Sequence, residues 1–354
     1  MKKIKCLIIG DEIITPQLIQ TYLEDAIKKE HLDIIFDFTL MNTGYPKKIK
    51  IYRDKGIKEA YGDEELIINA VKDVEILIVH NAPVTSDVIA AGEKLKVIGV
   101  TRGGPVNVDL EAATKRKIPV INAVGRNSDN VADYTVGLII ALVRNIVKGH
   151  VSLINGVWDW KLREYENAGF ELHGKTLGII GFGQIGKRVS LRMRKGFDMN
   201  ILVYDPYVDE NEIELFGGKK VDLETLLRNS DIITIHARLT PETTGLIGEK
   251  EIALMKKPVY LINTARSAIV DQKALYKALK ERKITGAALD VFDEEPLSPD
   301  SPLLKLDNVI VTPHIAWISK EMPVRATKKV VEDIIRFLKG EKPKYLYNYT
   351  SSSE

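Results

Sequence analysis

The sequence predicts an α/β protein built from two doubly wound parallel-sheet domains, one inserted into the other. Short β-branched, apolar runs alternate with helical patterns along nearly the whole chain, as parallel strands joined by crossover helices require. The runs are apolar on consecutive positions rather than alternating, which marks strands covered on both faces. The length of 354 residues corresponds to about two domains at ~150 residues each.

In the first third, strands are expected at 4–10, 33–39, 74–80, 96–101 and 119–123, with helices near 16–30, 63–73, 85–94 and 108–117. Thr15-Pro16 and Thr85-Ser86-Asp87 have the residue types of helix starts. The stretch 41–62 is rich in Gly, Pro and Lys without a period and reads as a long surface loop, a place where function often sits. Six further strands are expected at 177–182, 200–205, 231–237, 258–264, 286–292 and 309–313, with helices near 184–195, 222–229, 248–255 and 271–282. They make one complete doubly wound domain. Two long helical patterns, about 129–155 and 320–340, bracket this middle block. The reading is therefore discontinuous: residues 1–124 and 317–354 form one flavodoxin-like domain, and 125–316 are inserted into it. Residues 346–354 read as a frayed tail.

Composition narrows the function classes. A net charge of +2 lacks the cationic excess of a general nucleic-acid binder. The single cysteine, Cys6, excludes an intramolecular disulfide and a Cys-rich zinc site, and its apolar surroundings make it a buried structural thiol. The N-terminal apolar run is cut short by Asp11 and Glu12, too early for a signal peptide. No stretch reaches the ~18 apolar residues of a membrane span. The expectation is a cytoplasmic protein with neither nucleic-acid nor membrane partners.

The clearest motif is Gly181-Phe182-Gly183-Gln184-Ile185-Gly186, which follows an apolar run and opens a helical pattern. That context identifies a dinucleotide-binding Rossmann turn. Gly181 suits the tight turn, Gly183 lets the backbone approach a pyrophosphate, and Gly186 permits close helix–strand packing. The amides of Gln184 and Ile185 then sit at a helix N-terminus, where an anion is favoured. The second strand ends in Asp205, 19 residues after Gly186. A carboxylate there accepts hydrogen bonds from ribose hydroxyls and repels a 2′-phosphate, with no adjacent Arg to offset it, so NAD is expected rather than NADP.

Three charged groups stand at the ends of later strands: Arg266, Glu295 and His314. Singly, each has a bland reading as a surface cation, a solvated acid or a core histidine. Together they match the needs of 2-hydroxy acid oxidation. His314 takes the hydroxyl proton, Glu295 holds its ring and stabilises the imidazolium, and Arg266 grips a carboxylate and developing oxyanion charge with its planar fork. No metal is required, and no His/Asp/Glu cluster has convincing ligand spacing.

The segments GKTLGIIGFGQIGKRV (174–189), INTARSAIVDQKAL (262–275), GAALDVFDEEP (286–296) and VTPHI (311–315) resemble the D-isomer-specific 2-hydroxyacid dehydrogenase family, above all its phosphoglycerate dehydrogenase branch. The likeness covers about residues 70–340. It implies two α/β domains with the active site in the cleft between them, and usually a homodimer. It places the family's substrate Arg, carboxylate and acid/base His on Arg266, Glu295 and His314, its ribose-binding acid on Asp205, and its nicotinamide amide contacts on Ala265 and Asp290. On this reading 125–316 is the NAD-binding domain and the rest is the substrate domain.

Four departures bear on substrate. The first-domain loop reads Gly99-Val-Thr-Arg102-Gly103-Gly104-Pro105, so its amides still bind a carboxylate while Arg102 adds a positive fork. The family's His-x-Pro-Leu becomes His236-Ala237-Arg238-Leu239, the Gly-Gly after the catalytic His becomes Ala316-Trp317, which lines the pocket, and the Arg-Ser pair ending the third strand becomes His80-Asn81. Arg126 supplies another guanidinium near the domain crossing. The expectation is that Arg102, with Arg238 or Arg126, reads a second anionic or polyhydroxylated part of the substrate, which would be a phosphorylated or sugar-derived acid. Trp158 and Trp160 are expected to be packing residues. Two rivals stand beside the NAD-dependent enzyme. One is an NAD(H)-sensing binding module like the transcriptional corepressors called C-terminal binding proteins; the other is an NADP-linked glyoxylate/hydroxypyruvate reductase.

Overall fold

Two parallel sheets organise the chain. A computed structural model describes residues 2–44, 50–52 and 57–348. The chain divides into two units, Met1–Arg126 with Ser319–Glu354, and Asn127–Ile318, so each crossing falls two residues later than the sequence reading put it.

The first unit runs β1 (Lys2–Gly10), α1 (Pro16–Lys29), β2 (Ile34–Asn42), β3 (Lys50–Tyr52), β4 (Ile57–Ala60), α2 (Glu64–Val71), β5 (Ile76–Val79), α3 (Ser86–Ala91), β6 (Val97–Val100), α4 (Leu110–Lys115) and β7 (Val120–Asn122). Its main sheet has the order β2-β1-β5-β6-β7, all parallel. The central strands are apolar at every position because helices cover both faces: all four residues of β5 and of β6 are buried. Side-chain caps start the helices. Thr15, Asp63, Thr85 and Asp109 each accept a hydrogen bond from a first-turn amide. The stretch 41–62 is not one long loop. β2 extends to Asn42, and β3 pairs antiparallel with β4, which buries Ile57 and Ala60. Strands this short carry no legible period. Residues 45–49 and 53–56 of that stretch lie outside the described residues.

The second unit runs α5 (Ser128–Val143), α6 (Ile146–Ile154), β8 (Thr176–Ile180), α7 (Gln184–Phe197), β9 (Asn200–Tyr204), α8 (Glu210–Leu215), β10 (Gly218–Lys220), α9 (Leu223–Asn229), β11 (Ile232–Ile235), α10 (Glu249–Leu254), β12 (Tyr260–Asn263), α11 (Gln272–Lys280), β13 (Gly286–Leu289) and β14 (Val309–Val311). Its sheet has the order β10-β9-β8-β11-β12-β13-β14, all parallel. The strand order reverses at β8, as in a dinucleotide-binding fold. The sheet has seven strands, not six. The added β10 is three residues of Gly and Lys, without the apolar run that reveals its neighbours. The helical pattern 129–155 is two helices bent by 66°. The break comes at Asn145, whose φ of +56° places it in the left-handed region that Asn tolerates.

The chain then returns to the first unit through α12 (Met322–Leu338), which packs on α1, β6 and β7. Gly99 in β6 makes this approach possible, since a Cβ there would lie 2.7 Å from Cγ1 of Val330. Residues 346–348 are not frayed. Tyr347 donates to the Val120 carbonyl, and the Asn348 side chain accepts from the Val120 amide, so the tail covers the free edge of β7. Residues 349–354 lie outside the described residues. Gly99→Val should therefore lower the stability of the first unit by about 1–3 kcal/mol through overpacking against α12. Denaturant unfolding of wild type and variant checks this, and an unchanged midpoint would refute the close-approach reading.

Candidate active site

In the second unit, the three motif glycines answer three different needs. Gly181 has φ +90°, and a Cβ there would sit 2.4 Å from the Ala237 amide nitrogen. A Cβ at Gly186 would sit 2.4 Å from the Gly181 carbonyl oxygen, so α7 packs directly on the turn. A Cβ at Gly183 would meet nothing within 4 Å among the described residues, leaving the backbone open at the N-terminus of α7. The Gln184 and Ile185 amides lie in the first turn, where helical geometry supplies no acceptor and the macrodipole favours an anion. Asp205 follows β9 and ties the turn together. Its Oδ2 accepts from the Phe182 amide at 2.7 Å and its Oδ1 from the Tyr207 amide at 2.9 Å. A hollow of about 380 Å³ opens beside it, lined among others by Glu210, Asp222 and Lys220. Three acids against one lysine, whose Nζ already donates to the Val208 carbonyl, make poor surroundings for a 2′-phosphate. The open turn, the first-turn amides and the ribose-side carboxylate fit NAD.

The three strand-end groups come together in the same unit. His314 Nδ1 lies 2.7 Å from Glu295 Oε2, and Glu295 Oε1 accepts from the Phe292 amide at 3.0 Å. Burial tends to raise the Glu295 carboxyl. The His314 and Phe292 hydrogen bonds and the charges of His314 and Arg266 outweigh it and hold the group below its ordinary value. Glu295 is thus the ionised acceptor, Nδ1 carries the proton, and Nε2 is the ring nitrogen that Glu295 does not engage. Arg266 is exposed and extended just past β12, and its Nη1 donates to the Ala265 carbonyl. Asn263, which sequence reasoning missed, staples this turn by accepting from the Ala265 amide and donating to the Arg266 carbonyl.

Asp290 has a task that its family assignment did not foresee. It is 1% exposed, and its carboxylate accepts from the Thr312 hydroxyl at 2.6 Å and from the Ile315 and Ala316 amides at 3.0 and 2.9 Å. These bonds bracket His314, whose φ of +53° is unusual for a residue with a Cβ. Trp317 is half-buried just beyond, its carbonyl accepting from the Asn130 side chain. Arg238 is exposed after β11, with no side-chain partner among the described residues. His236 Nδ1 is buried and has no hydrogen-bond partner among the described residues, and burial pushes that imidazole down to about 3, so it is neutral.

The substrate candidates of the first unit form a second polar group. Arg102 donates to Asn81 Oδ1 at 2.6 Å and to Glu59 Oε2 at 2.9 Å. Asn81 Nδ2 donates in turn to Asp11 Oδ2 at 2.7 Å. The positive fork expected at Arg102 is present but not alone, because Glu59 already answers its charge. Sequence reasoning missed both Glu59 and Asp11: one lies on a hairpin read as loop, and the other closes β1 far from its partner in sequence. Arg126 Nη1 donates to the Thr101 carbonyl at 2.8 Å, and burial, then the charge of Arg102, pushes its guanidinium down to about 9. Burial and the Arg126 and Arg102 charges keep His80 well below its ordinary value. A Cβ at Gly104 would meet nothing within 4 Å among the described residues and one at Gly103 only the Ala123 carbonyl oxygen at 3.9 Å, and neither amide meets a protein acceptor among the described residues.

No single helix among the described residues is long and apolar enough to cross a membrane. The family model "D-isomer specific 2-hydroxyacid dehydrogenase, NAD binding domain" matches residues 136–316. The D-3-phosphoglycerate dehydrogenase of Methanocaldococcus jannaschii is 46% identical over 297 residues, covering 83% of this chain and 56% of its own length. The glyoxylate reductase of Korarchaeum cryptofilum is 41% identical over 291 residues, 82% of this chain and 87% of its own. The chain spans about half the length of the phosphoglycerate dehydrogenases it matches. Among solved structures, the D-lactate dehydrogenase from Aquifex aeolicus complexed with NAD and lactic acid superposes with a TM-score of 0.71 at 28% identity, covering 98% of this chain and 100% of that one. The chain belongs to the D-isomer-specific 2-hydroxyacid dehydrogenase family and carries that family's NAD-binding domain over residues 136–316.

Proposed function

We propose that this chain interconverts a D-2-hydroxy acid and its 2-keto acid, with NAD as the hydride carrier. The observation that carries the reading is the His314–Glu295 hydrogen bond beside Arg266, formed at the carboxyl ends of neighbouring strands in an NAD-binding sheet. Bound NAD supplies the acceptor for the Cα hydride, and NADH returns it in reduction. His314 Nε2 takes the hydroxyl proton in oxidation and gives it back in reduction. Glu295 keeps the Nδ1 proton in place and stabilises the imidazolium. Arg266 grips the substrate carboxylate by its fork. Asp290 is a positioning residue that holds the His314 loop, with Ala265 and Asp290 also at the nicotinamide. Arg238 and Trp317 are proposed to face substrate. The relatives this chain is similar to are dehydrogenases and reductases, and this favours the enzyme over the binding module.

We place the protein in the cytoplasm as a homodimer. The dimer rests on α6 and the segment after it. Ile146, Val151, Leu153, Ile154, Trp158 and Trp160 are all exposed, a larger apolar strip than a monomer usually shows to water. The tryptophans do not pack into a core; each is 63% exposed, and their rings lie 5.9 Å apart. A second copy burying this strip accounts for it.

Three measurements test the reading. NADH oxidation with a panel of 2-keto acids should show turnover, and His314→Ala should lower kcat by roughly 10²–10⁴-fold while leaving NADH affinity intact. Tight NADH binding with no turnover on any keto acid would overturn the enzyme in favour of a sensor. Comparison of cofactors should show NADH preferred over NADPH, and Asp205→Ala should narrow that preference by about tenfold, or ~1.4 kcal/mol; an NADPH preference in the wild type would defeat the assignment of Asp205. Sedimentation equilibrium should give a dimer for the wild type and a folded monomer for Ile154→Glu, whereas a monomeric wild type would remove the dimer.

A further inference from the structure

Helix α5 opens the second unit, and the groups assigned to hydride exchange leave its polar residues unexplained. Asn130 and Thr135 are buried in it among apolar neighbours. A buried polar side chain is costly unless it is hydrogen-bonded, so each of the two has a task. At about 100° per residue, Asp129 and Asp133 share one side of the helix, Asn130 stands roughly 100° round from Asp129, and Thr135 roughly 240°. The three directions lead to three separate elements of the candidate site, all within this unit.

The first direction ends at the Arg266 turn. Thr135 Oγ1 lies 3.0 Å from the Oγ1 of Thr264, which sits between Asn263 and Ala265. The Thr135 hydroxyl donates its proton to the Val131 carbonyl at 2.8 Å. A hydroxyl has only one proton to give, so Thr264 is the donor of the bond between the two threonines. The turn is thus held twice, by the Asn263 side chain from within and by α5 through Thr264. The second direction ends at the His314 loop. Asn130 Nδ2 donates to the Trp317 carbonyl, and the adjoining Ala316 amide donates to Asp290, so this loop is held from α5 and from the end of β13. The third direction ends at α7. Arg188 Nε donates to Asp129 at 2.9 Å and Arg192 Nε to Asp133 at 2.7 Å. Arg188 Nη1 donates onward to the carbonyl and the side-chain oxygen of Gln184, in the first turn of α7.

Hydrogen bonds are short and directional. One helix that bonds three elements therefore fixes the spacing between them. A carboxylate fork and an acid/base group need their mutual geometry held to about 0.5 Å. Resting on the proposed D-2-hydroxy acid exchange, we infer that α5 is the common support of the Arg266 turn and the His314 loop, with Thr135 and Asn130 as positioning residues of separable effect. Thr135 acts through Thr264 on the turn of the group that grips the carboxylate, so it governs how tightly the keto acid is held. Asn130 acts through the Trp317 carbonyl on the loop of the group that moves the proton, so it governs turnover.

The test uses the full chain with NADH and the keto acid it reduces fastest. Thr135→Val keeps the side-chain shape and removes the hydroxyl. It should raise KM for the keto acid about tenfold while changing kcat and NADH affinity less than about twofold, and Thr135→Ser should bring KM back to within about twofold of wild type. Asn130→Asp keeps the shape and removes the donor; it should lower kcat about tenfold and change KM less than about twofold. Two variants that lower kcat/KM through the same parameter would overturn the inference, and so would a loss of thermal stability with KM and kcat unmoved. If Thr135→Val does not fold, Thr264→Val breaks the same bond from its other end and should show the same rise in KM; an unmoved KM would count against the support. Titration of the NADH complex with oxamate, a carboxylate beside a carbonyl that needs no turnover to be bound, separates the two readings. Absence of turnover with every keto acid, with oxamate held about tenfold more weakly by Thr135→Val, would defeat the proposed reaction alone. Oxamate held equally by wild type and Thr135→Val would defeat the positioning role, and a wild type that neither turns over nor binds oxamate would defeat both.

Discussion

A strand covered on both faces can present a polar side chain to a ligand only past its ends. Both sheets obey this constraint: β5, β6, β11 and β13 are buried at every position. Chemistry is thereby forced into the residues just past each strand. Asp11, Asn81 and Arg102 occupy those places in the first unit, and Asp205, Arg266, Asp290 and His314 in the second. The carboxyl ends also receive the helix N-termini, so backbone donors and charged side chains converge on the same edge.

Within the second unit, Asp290 converts that crowding into order. A buried carboxylate is costly unless its oxygens are filled, and here three donors from the loop 312–316 fill them. Leaving any of those donors unpaired would cost roughly 1–3 kcal/mol. That energy is enough to hold His314 at φ +53° with its Nδ1 toward Glu295. The proposed acid/base pair is thus preorganised by a residue that lies beneath it.

In the first unit, charge pairing within the protein decides what Arg102 presents. An arginine read in isolation is a cation awaiting an anion. Arg102 next to Glu59 is half of a neutral pair whose free valence is an acceptor oxygen.

The sequence alone determined the alternation of strands and helices, the Gly181–Gly186 turn with Asp205, and the trio Arg266, Glu295 and His314. Each of these is local: a run, a spacing or a residue type just past a strand. It did not reveal β10 or the β3–β4 hairpin, because a strand of three or four residues has no period. Nor did it show the bend at Asn145, which turns on one residue's backbone angle. The Glu59–Arg102 and Asp11–Asn81 contacts, the grip of Asp290 on the His314 loop and the exposure of Trp158 and Trp160 were decided only by the tertiary structure. They depend on which strand ends become neighbours and which helix faces are left uncovered. Sheet order sets both, and sheet order is not written at any one position of the chain.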